Sequence, residues 1–351
     1  MTDKTVNQAN QANQANQANR VSRGAPEDRA GQVVVFGSLN AALTVRVDRF
    51  PRPGETLPGS ALVTAPGGKS ANQAVAAATL GSTVRLIGAV GKDAHGRFLR
   101  AQVEGAGVDI DGVIEDADHA TGSAMIVVDA AGENTIIVSA GANDRHTEQS
   151  VQAADLTDAA VLCLCLEISP AAVQAAARAG RAAGAIVVLN PSPYADLPAA
   201  TLASVDVLVV NGSEAEQFLG ALSPVLSGQA SVRDWGAWSD AFEDRGVDRV
   251  VVTLGSAGAV VLDATVRHNL GWAEDVTDPR VTVLRAPQVD AVDTTGCGDA
   301  FTGALAHRLA AGASLPAAAH FAVEVGALAA TREGAQTSYV AFEHLLAPRL
   351  S

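Results

Sequence analysis

The sequence predicts an α/β fold, a doubly wound and mostly parallel sheet flanked by helices, with a small antiparallel β lid set on it. Three observations predict this. Short, near-continuously apolar runs recur along the chain, Ala- and Leu-rich stretches of helical period separate most of them, and two segments of alternating polarity interrupt the pattern. Strands buried on both faces read as unbroken apolar runs, whereas a sheet with one wet face alternates.

The apolar runs are "QVVVFGS" (32 to 38), "STVRLIGAVG" (82 to 91), "AAVLCLCLE" (159 to 167), "GAIVVLNPSP" (184 to 193), "VDVLVVN" (205 to 211) and "DRVVVTLGS" (248 to 256). Helical periodicity falls at 70–80, 97–106, 170–183 and 213–220. Strand–helix alternation implies parallel pairing, and ligand sites in such sheets lie at the carboxyl ends of the strands. Segments 43–65 and 120–139 alternate apolar with polar, and the second carries the turn Ala131-Gly132-Glu133. They are expected to form the lid or an edge hairpin. The 221–247 insertion sets Trp235, Trp238 and Phe242 at i, i+3 and i+7, the spacing of a buried helix face, and is given no function. Residues 1–30 open on Asn-Gln-Ala triplets with almost no large apolar side chain, so a disordered tail is expected ahead of one folded domain over 31–351.

Composition narrows the partners. With 351 residues and 48% hydrophobic side chains a substantial core is available. The balance of 24 Lys and Arg against 38 Asp and Glu, net -14, repels nucleic acid and anionic membrane and favours a small-molecule partner. Neither a membrane span nor a secretory signal is expected. Cys163, Cys165 and Cys297 have no zinc spacing and no even disulfide framework, which points to a reducing compartment, the cytoplasm.

Chemistry concentrates in two glycine-rich stretches. In "AVDTTGCGDAF" (291 to 301) a helix is expected to begin near Gly298 and Asp299, so Gly296, Cys297 and Gly298 would aim backbone N–H groups and the positive helix end at one point. That is an anion site, and an acid in the first turn is a ready general base for a nearby hydroxyl. An ordinary helix cap explains the same residues, and this segment alone leaves both readings open. In "APGGKSANQAVAAATLG" (65 to 81), Gly-Lys-Ser is not a P-loop, because Val63 stands where that motif needs glycine. Lys69, Ser70 and Asn72 at a helix start suit hydroxyls or an oxyanion, or an ordinary cap. "VVTLGSAGAVV" (251 to 261) lacks the third glycine and the following helix of a dinucleotide fingerprint, which leaves a nicotinamide enzyme as a minor alternative.

Taken together, these stretches resemble the ribokinase-like (PfkB) carbohydrate kinase family, from about Gln32 to the C-terminus. "GGKSANQAVAAATLG" is similar to the family's N-terminal signature and "DTTGCGDAFTGAL" to its C-terminal one, with "NPSP", "NGSEAE" and "TLGSAG" in order between them. The resemblance implies ATP- and Mg²⁺-dependent phosphorylation of a sugar's terminal hydroxymethyl group, ribose first among candidates. It implies Asp299 as base and Gly296, Cys297 and Gly298 as the anion hole. Asn40, Gly68, Lys69, Asn72 and Glu167 match sugar-binding positions. Asn211 and Glu214 match a motif tied to phosphate and Mg²⁺, and Thr253, Gly255, Ser256 and Gly258 a nucleotide-binding strand end. Asp293, Thr295, Ala329, Arg332, Gly334 and Ser338 match a monovalent-cation site, implying K⁺. A homodimer through the lid follows from the same likeness.

Ala42 departs from the pattern, standing where relatives carry an aspartate that grips ribose hydroxyls. Loss of that charged acceptor costs about 1.5 to 3 kcal/mol, so a deoxypentose, another sugar or a nucleoside enters as an alternative substrate. Val323 replaces a polar or ring contact to adenine. A non-catalytic sugar-binding protein is the competing class.

Overall fold

In the computed structural model, residues 31–152, 154–220, 232–266 and 278–341 are described; the expected disordered tail, 1–30, lies outside them. The chain runs β1 (Gln32–Phe36), β2 (Asn40–Arg46), β3 (Val63–Gly67), α1 (Lys69–Thr79), β4 (Val84–Gly91), α2 (Ala94–Gly105), β5 (Asp109–Asp116), β6 (Gly122–Val128) and β7 (Asn134–Ser139). It continues through α3 (Glu148–Gln152), β8 (Ala159–Cys165), α4 (Pro170–Ala183), β9 (Ile186–Asn190), α5 (Ala199–Leu202), β10 (Val207–Asn211), α6 (Gly212–Leu219) and α7 (Val232–Glu243). The final elements are β11 (Arg249–Thr253), β12 (Ala259–Asp263), β13 (Val281–Leu284), α8 (Cys297–Ala310) and α9 (Leu315–Ala329).

Among the described residues nine strands form the main sheet, in the order β13-β12-β11-β10-β9-β8-β1-β4-β5. Pairing is parallel from β5 to β11 and antiparallel for β12 and β13 at one edge. Successive side chains of a strand point to opposite faces, and the core divides accordingly. Val33, Val35, Val161 and Cys163 pack under α1, α8 and α9, while Val34, Phe36, Leu162 and Leu164 pack under α4, α6 and α7. Both sheet faces are therefore covered, as the unbroken apolar runs required. Trp235, Trp238 and Phe242 are buried in the second cluster, which is the buried helix face expected of their spacing.

The segments expected to form the lid make a separate four-stranded sheet, β3-β2-β6-β7. Each hairpin is antiparallel, and the two join through a parallel seam between β2 and β6, in register from Asn40 opposite Gly122 to Arg46 opposite Val128. Its outer strand β7 is exposed along its whole length, with Ile136, Ile137 and Val138 at 52%, 59% and 53%. The expected turn forms at Gly132 (φ 85), where Asp129 accepts the backbone N–H groups of Ala131 and Glu133. No helix among the described residues is long and apolar enough to cross a membrane.

One close contact positions the site. A Cβ on Gly303 would lie 2.6 Å from the Gln73 carbonyl oxygen and 3.0 Å from Ala77 N. Glycine there lets α8 lie against the backbone of α1. Asp299, one turn earlier on the same helix face, is thereby brought to Asn72 and Gln73.

Candidate active site

The site lies at the carboxyl ends of the parallel strands. One half of it gathers around Glu167, just beyond β8. Its Oε2 accepts three donors, from Ser38 Oγ (2.6 Å), Asn40 Nδ2 (3.3 Å) and the Lys69 backbone N (2.9 Å). Gly68 makes the last contact possible: it caps α1 at φ 93, and a Cβ there would stand 2.7 Å from Asn40 N. The start of α1 is thus filled by a carboxylate of the chain itself. Of the sequence readings of that helix end, an internal acceptor for hydroxyls fits this arrangement.

Asn143, buried in the turn after β7, sets the direction of this half. Its Oδ1 accepts from Leu39 N (3.1 Å), and its Nδ2 donates to Leu39 O (3.1 Å) and Asn40 Oδ1 (2.8 Å). The Asn40 amide is held with its donor toward Glu167. Gly122 leaves room for the pair, since a Cβ would fall within 2.3 Å of both amides. Lys69 is half-buried; burial works against its charge, but Asp299 and Glu167 outweigh that and hold its pKa above the usual lysine value. Ala42 lies in β2 opposite Ala65 and Ala124, so three small side chains line the lid at this point.

The other half is built on α8. Asp299 is buried at 7% exposure, and its Oδ2 accepts from Asn72 Nδ2 (2.8 Å) and its Oδ1 from Gln73 Nε2 (3.4 Å). Lys69, Asn72 and Gln73 fall at i, i+3 and i+4, so the first turn of α1 spans from Glu167 to Asp299. Gly296 caps α8 at φ 74 with no side-chain cap. A Cβ there would strike Ala335 and the Tyr339 hydroxyl, which donates to Gly296 O (3.2 Å). A Cβ on Gly298 would meet nothing within 4 Å. Of the three backbone N–H groups that the sequence reading offers to an anion, Cys297 N donates to Thr294 O (3.3 Å), and the space beside Gly298 is open. Burial, then Asp293 and Asp299, push the Cys297 thiol up to about 11, so it is neutral and no nucleophile near pH 7.

The predicted nucleotide positions sit further along the same edge. Asn211 and Thr253 end neighbouring strands and are register partners. Glu214 closes a capping box with Asn211, each side chain accepting the other's backbone N–H at 2.9 Å. Gly255, Ser256 and Ala257 form an exposed turn that ends at Gly258 (φ 103), whose Cβ would collide with Leu284 O. The cation positions are also adjacent. Asp293 accepts from Thr295 N and Gly334 N, both 2.9 Å, and donates its own N–H to Ala330 O at 3.2 Å. Burial opposes ionisation of Asp293, but hydrogen bonds from the Thr295 hydroxyl and from the Gly334 and Thr295 backbone outweigh it and depress its pKa. The Ala329 carbonyl accepts Arg332 N, Ser338 is buried, and the Arg332 side chain is exposed. Val323 is buried in the core. Among the described residues there is no group of three or more His, Cys, Asp or Glu that could hold a metal.

A family model for pfkB family carbohydrate kinases matches residues 30–341. The chain belongs to that family. This kinase is 32% identical over 308 residues to a ribokinase of Haemophilus influenzae, covering 87% of this chain and 94% of that one. It is 32% identical over 314 residues to a deoxyribokinase of Salmonella typhi, covering 89% and 96%. The structure of Arabidopsis thaliana ribokinase complexed with ribose and ATP superimposes with a TM-score of 0.79 at 28% identity, covering 91% of this chain and 98% of that one. The kinase is therefore a phosphotransferase with an alcohol acceptor, on the fold the sequence predicted.

Gln73, Asn143, Gln336 and Tyr339 complete the site and were not assigned from the sequence. The signal for Gln73 was there, since it shares the α1 face with Lys69 and Asn72.

Proposed function

We propose that this kinase transfers the γ-phosphoryl group of ATP to the terminal hydroxymethyl of a pentose, ribose first, with Asp299 as general base. The observation that carries this is the buried Asp299 carboxylate, fixed by two amides beside the unobstructed backbone of Gly298. Phosphoryl transfer needs positioning, charge neutralisation and one acceptor for the hydroxyl proton. The sugar would lie along the first turn of α1, its hydroxyls met by Asn40, Lys69, Asn72 and Glu167. Asp299 would take the proton as the sugar oxygen bonds to the γ-phosphorus and the bond from that phosphorus to the bridging oxygen breaks, releasing ADP. Backbone donors of Gly296, Cys297 and Gly298 would meet the charge on the transferred group, with Cys297 giving up its long bond to Thr294.

Mg²⁺, arriving with ATP, supplies charge neutralisation at the phosphates. Asn211 and Glu214, at the strand end beside Thr253, would be the residues facing that ion, with phosphates and solvent holding most of it. For K⁺, the fit rests on an ionised Asp293 lashed to the 330–338 segment, whose carbonyls and Ser338 hydroxyl are oxygen donors. The exposed Ile136, Ile137 and Val138 support a homodimer through the lid, checked by sedimentation. Three free cysteines fit a reducing cytoplasm.

Ala42 favours a second reading, deoxyribose, which presents one hydroxyl fewer and is the substrate named for the Salmonella relative. An ADP-release panel over ribose, deoxyribose, other sugars and nucleosides, with Mg²⁺ and with or without K⁺, decides. Absence of turnover with all of them would leave only a sugar-binding protein.

A further inference from the structure

The segment after α9 returns across the site and touches it at three points. Gly334 N donates to Asp293 Oδ2 (2.9 Å), Tyr339 Oη donates to Gly296 O (3.2 Å), and Gln336 Nε2 donates to Asn72 Oδ1 (3.0 Å). The last contact continues inward, because Asn72 Nδ2 donates to Asp299 Oδ2 at 2.8 Å. An ionised carboxylate only accepts, so the Asn72 amide must face Asp299 with its nitrogen and turn its oxygen outward. That oxygen then needs a donor, and Gln336 provides it. Were the Asn72 amide reversed with Gln336 as it stands, its oxygen would face a carboxylate and its nitrogen the Gln336 donor, two repulsive contacts. The second amide on Asp299, from Gln73, is longer at 3.4 Å, so Asn72 is the main holder of the base.

We infer that Gln336 is a positioning residue for phosphoryl transfer: its amide fixes the orientation of Asn72, and through it the Asp299 carboxylate. This rests on Asp299 being the base. Gln336 touches neither the reacting atoms nor Asp299; it acts through one intermediate whose polarity it locks. It differs in this from Gly334, which holds the Asp293 carboxylate, and from Tyr339, which holds the Gly296 carbonyl.

The test is a double-mutant cycle on the full chain, read by ADP release with the sugar that wild type turns over fastest. Gln336→Leu is expected to lower kcat about tenfold with the KM for ATP within about twofold. Gln336→Glu, which offers an acceptor to the Asn72 oxygen, should lower kcat further. In an Asn72→Ala background, Gln336→Leu should change kcat by less than about twofold, since the intermediate is gone. A purely structural role predicts a lower unfolding temperature and the same loss in both backgrounds, and that additive result overturns the inference, as does an unaffected Gln336→Leu. Asp299→Asn, run in parallel, separates the two readings. If it is inactive and the cycle additive, only the role of Gln336 falls; if it keeps near-normal turnover, the base is lost and this inference with it.

Discussion

Helices α1 and α8 both begin at glycines beside the same site, Gly68 at φ 93 and Gly296 at φ 74, and neither has a side-chain cap of its own. They differ in what meets their exposed backbone N–H groups. At α1 the chain supplies the anion, Glu167, at 2.9 Å from Lys69 N. At α8 the space in front of Gly298 is left open, and the carboxylate of the first turn, Asp299, is turned aside to Asn72 and Gln73. A helix start attracts negative charge wherever it occurs. Under the proposed mechanism the filled start would serve as a fixed acceptor for hydroxyls, and the open one would admit a phosphoryl group.

Removing the acceptor on the open side gives the largest effect. Asp299→Asn is expected to lower kcat by about a thousandfold, within the range for loss of a general base, while ATP binding measured by calorimetry stays near wild type. Near-normal turnover would show that the open helix start serves something other than proton transfer.

The open space itself is tested next. Gly298→Ala meets no protein atom, so it should fold with an unchanged unfolding temperature, yet place a methyl group in the space proposed for the phosphoryl oxygens. A loss of about ten- to a hundredfold in kcat is expected, by analogy with the loss of one oxyanion donor. Gly296→Ala cannot serve as this probe, because its Cβ would strike Ala335. Full activity in Gly298→Ala would mean the two helix starts do not divide the work as described.

On the filled side, Glu167→Ala strips an acceptor from Ser38, Asn40 and Lys69 together. It should raise the sugar KM by about tenfold or more and cost about 1 to 3 kcal/mol of stability, with kcat at saturating sugar less affected than in Gly298→Ala. Ala42→Asp works in the opposite direction, adding an acceptor near this half, and should lower the KM for ribose about tenfold. An unchanged KM for ribose in that variant would point to a substrate without the matching hydroxyls.

The α/β core was legible because burial on both faces leaves a signature in composition, as in β1, β8 and β10. β5 was not, since it is an edge strand whose exposed positions interrupt the apolar run, and β13 is only four residues long. The site divides in the same way. Asp299 and the glycines stand in a local pattern that suits an anion site with a base or an ordinary helix cap, and only the family resemblance chose between them and added Glu167. Asn143 and Gln336 were not legible, because an isolated amide in a loop carries no pattern; what each does depends on a partner 103 and 264 residues away, respectively. The parallel seam of the lid was hidden for the same reason, as alternation specifies a wet face but not the direction of the neighbouring strand.

The smallest effect on catalysis, and a distinct one on stability, belongs to the filled side. His146 lies three residues after Asn143, buried against the Phe36 ring at 4.9 Å between centroids, with neither ring nitrogen hydrogen-bonded among the described residues. Burial pushes its pKa down to about 4 from 6.5. The unfolded chain therefore takes up a proton below pH 6.5 while the folded one resists until about pH 4. Stability conferred by the neutral ring is complete above pH 6.5 and is lost as the pH falls toward the folded value, by about 3 kcal/mol across the interval. His146→Phe, which keeps the ring contact and cannot titrate, should flatten the decline of the urea midpoint between pH 6.5 and 4 and leave turnover at pH 7.5 unchanged. An equally steep decline in the variant would place the acid sensitivity elsewhere and free the Asn143 turn of any part in it.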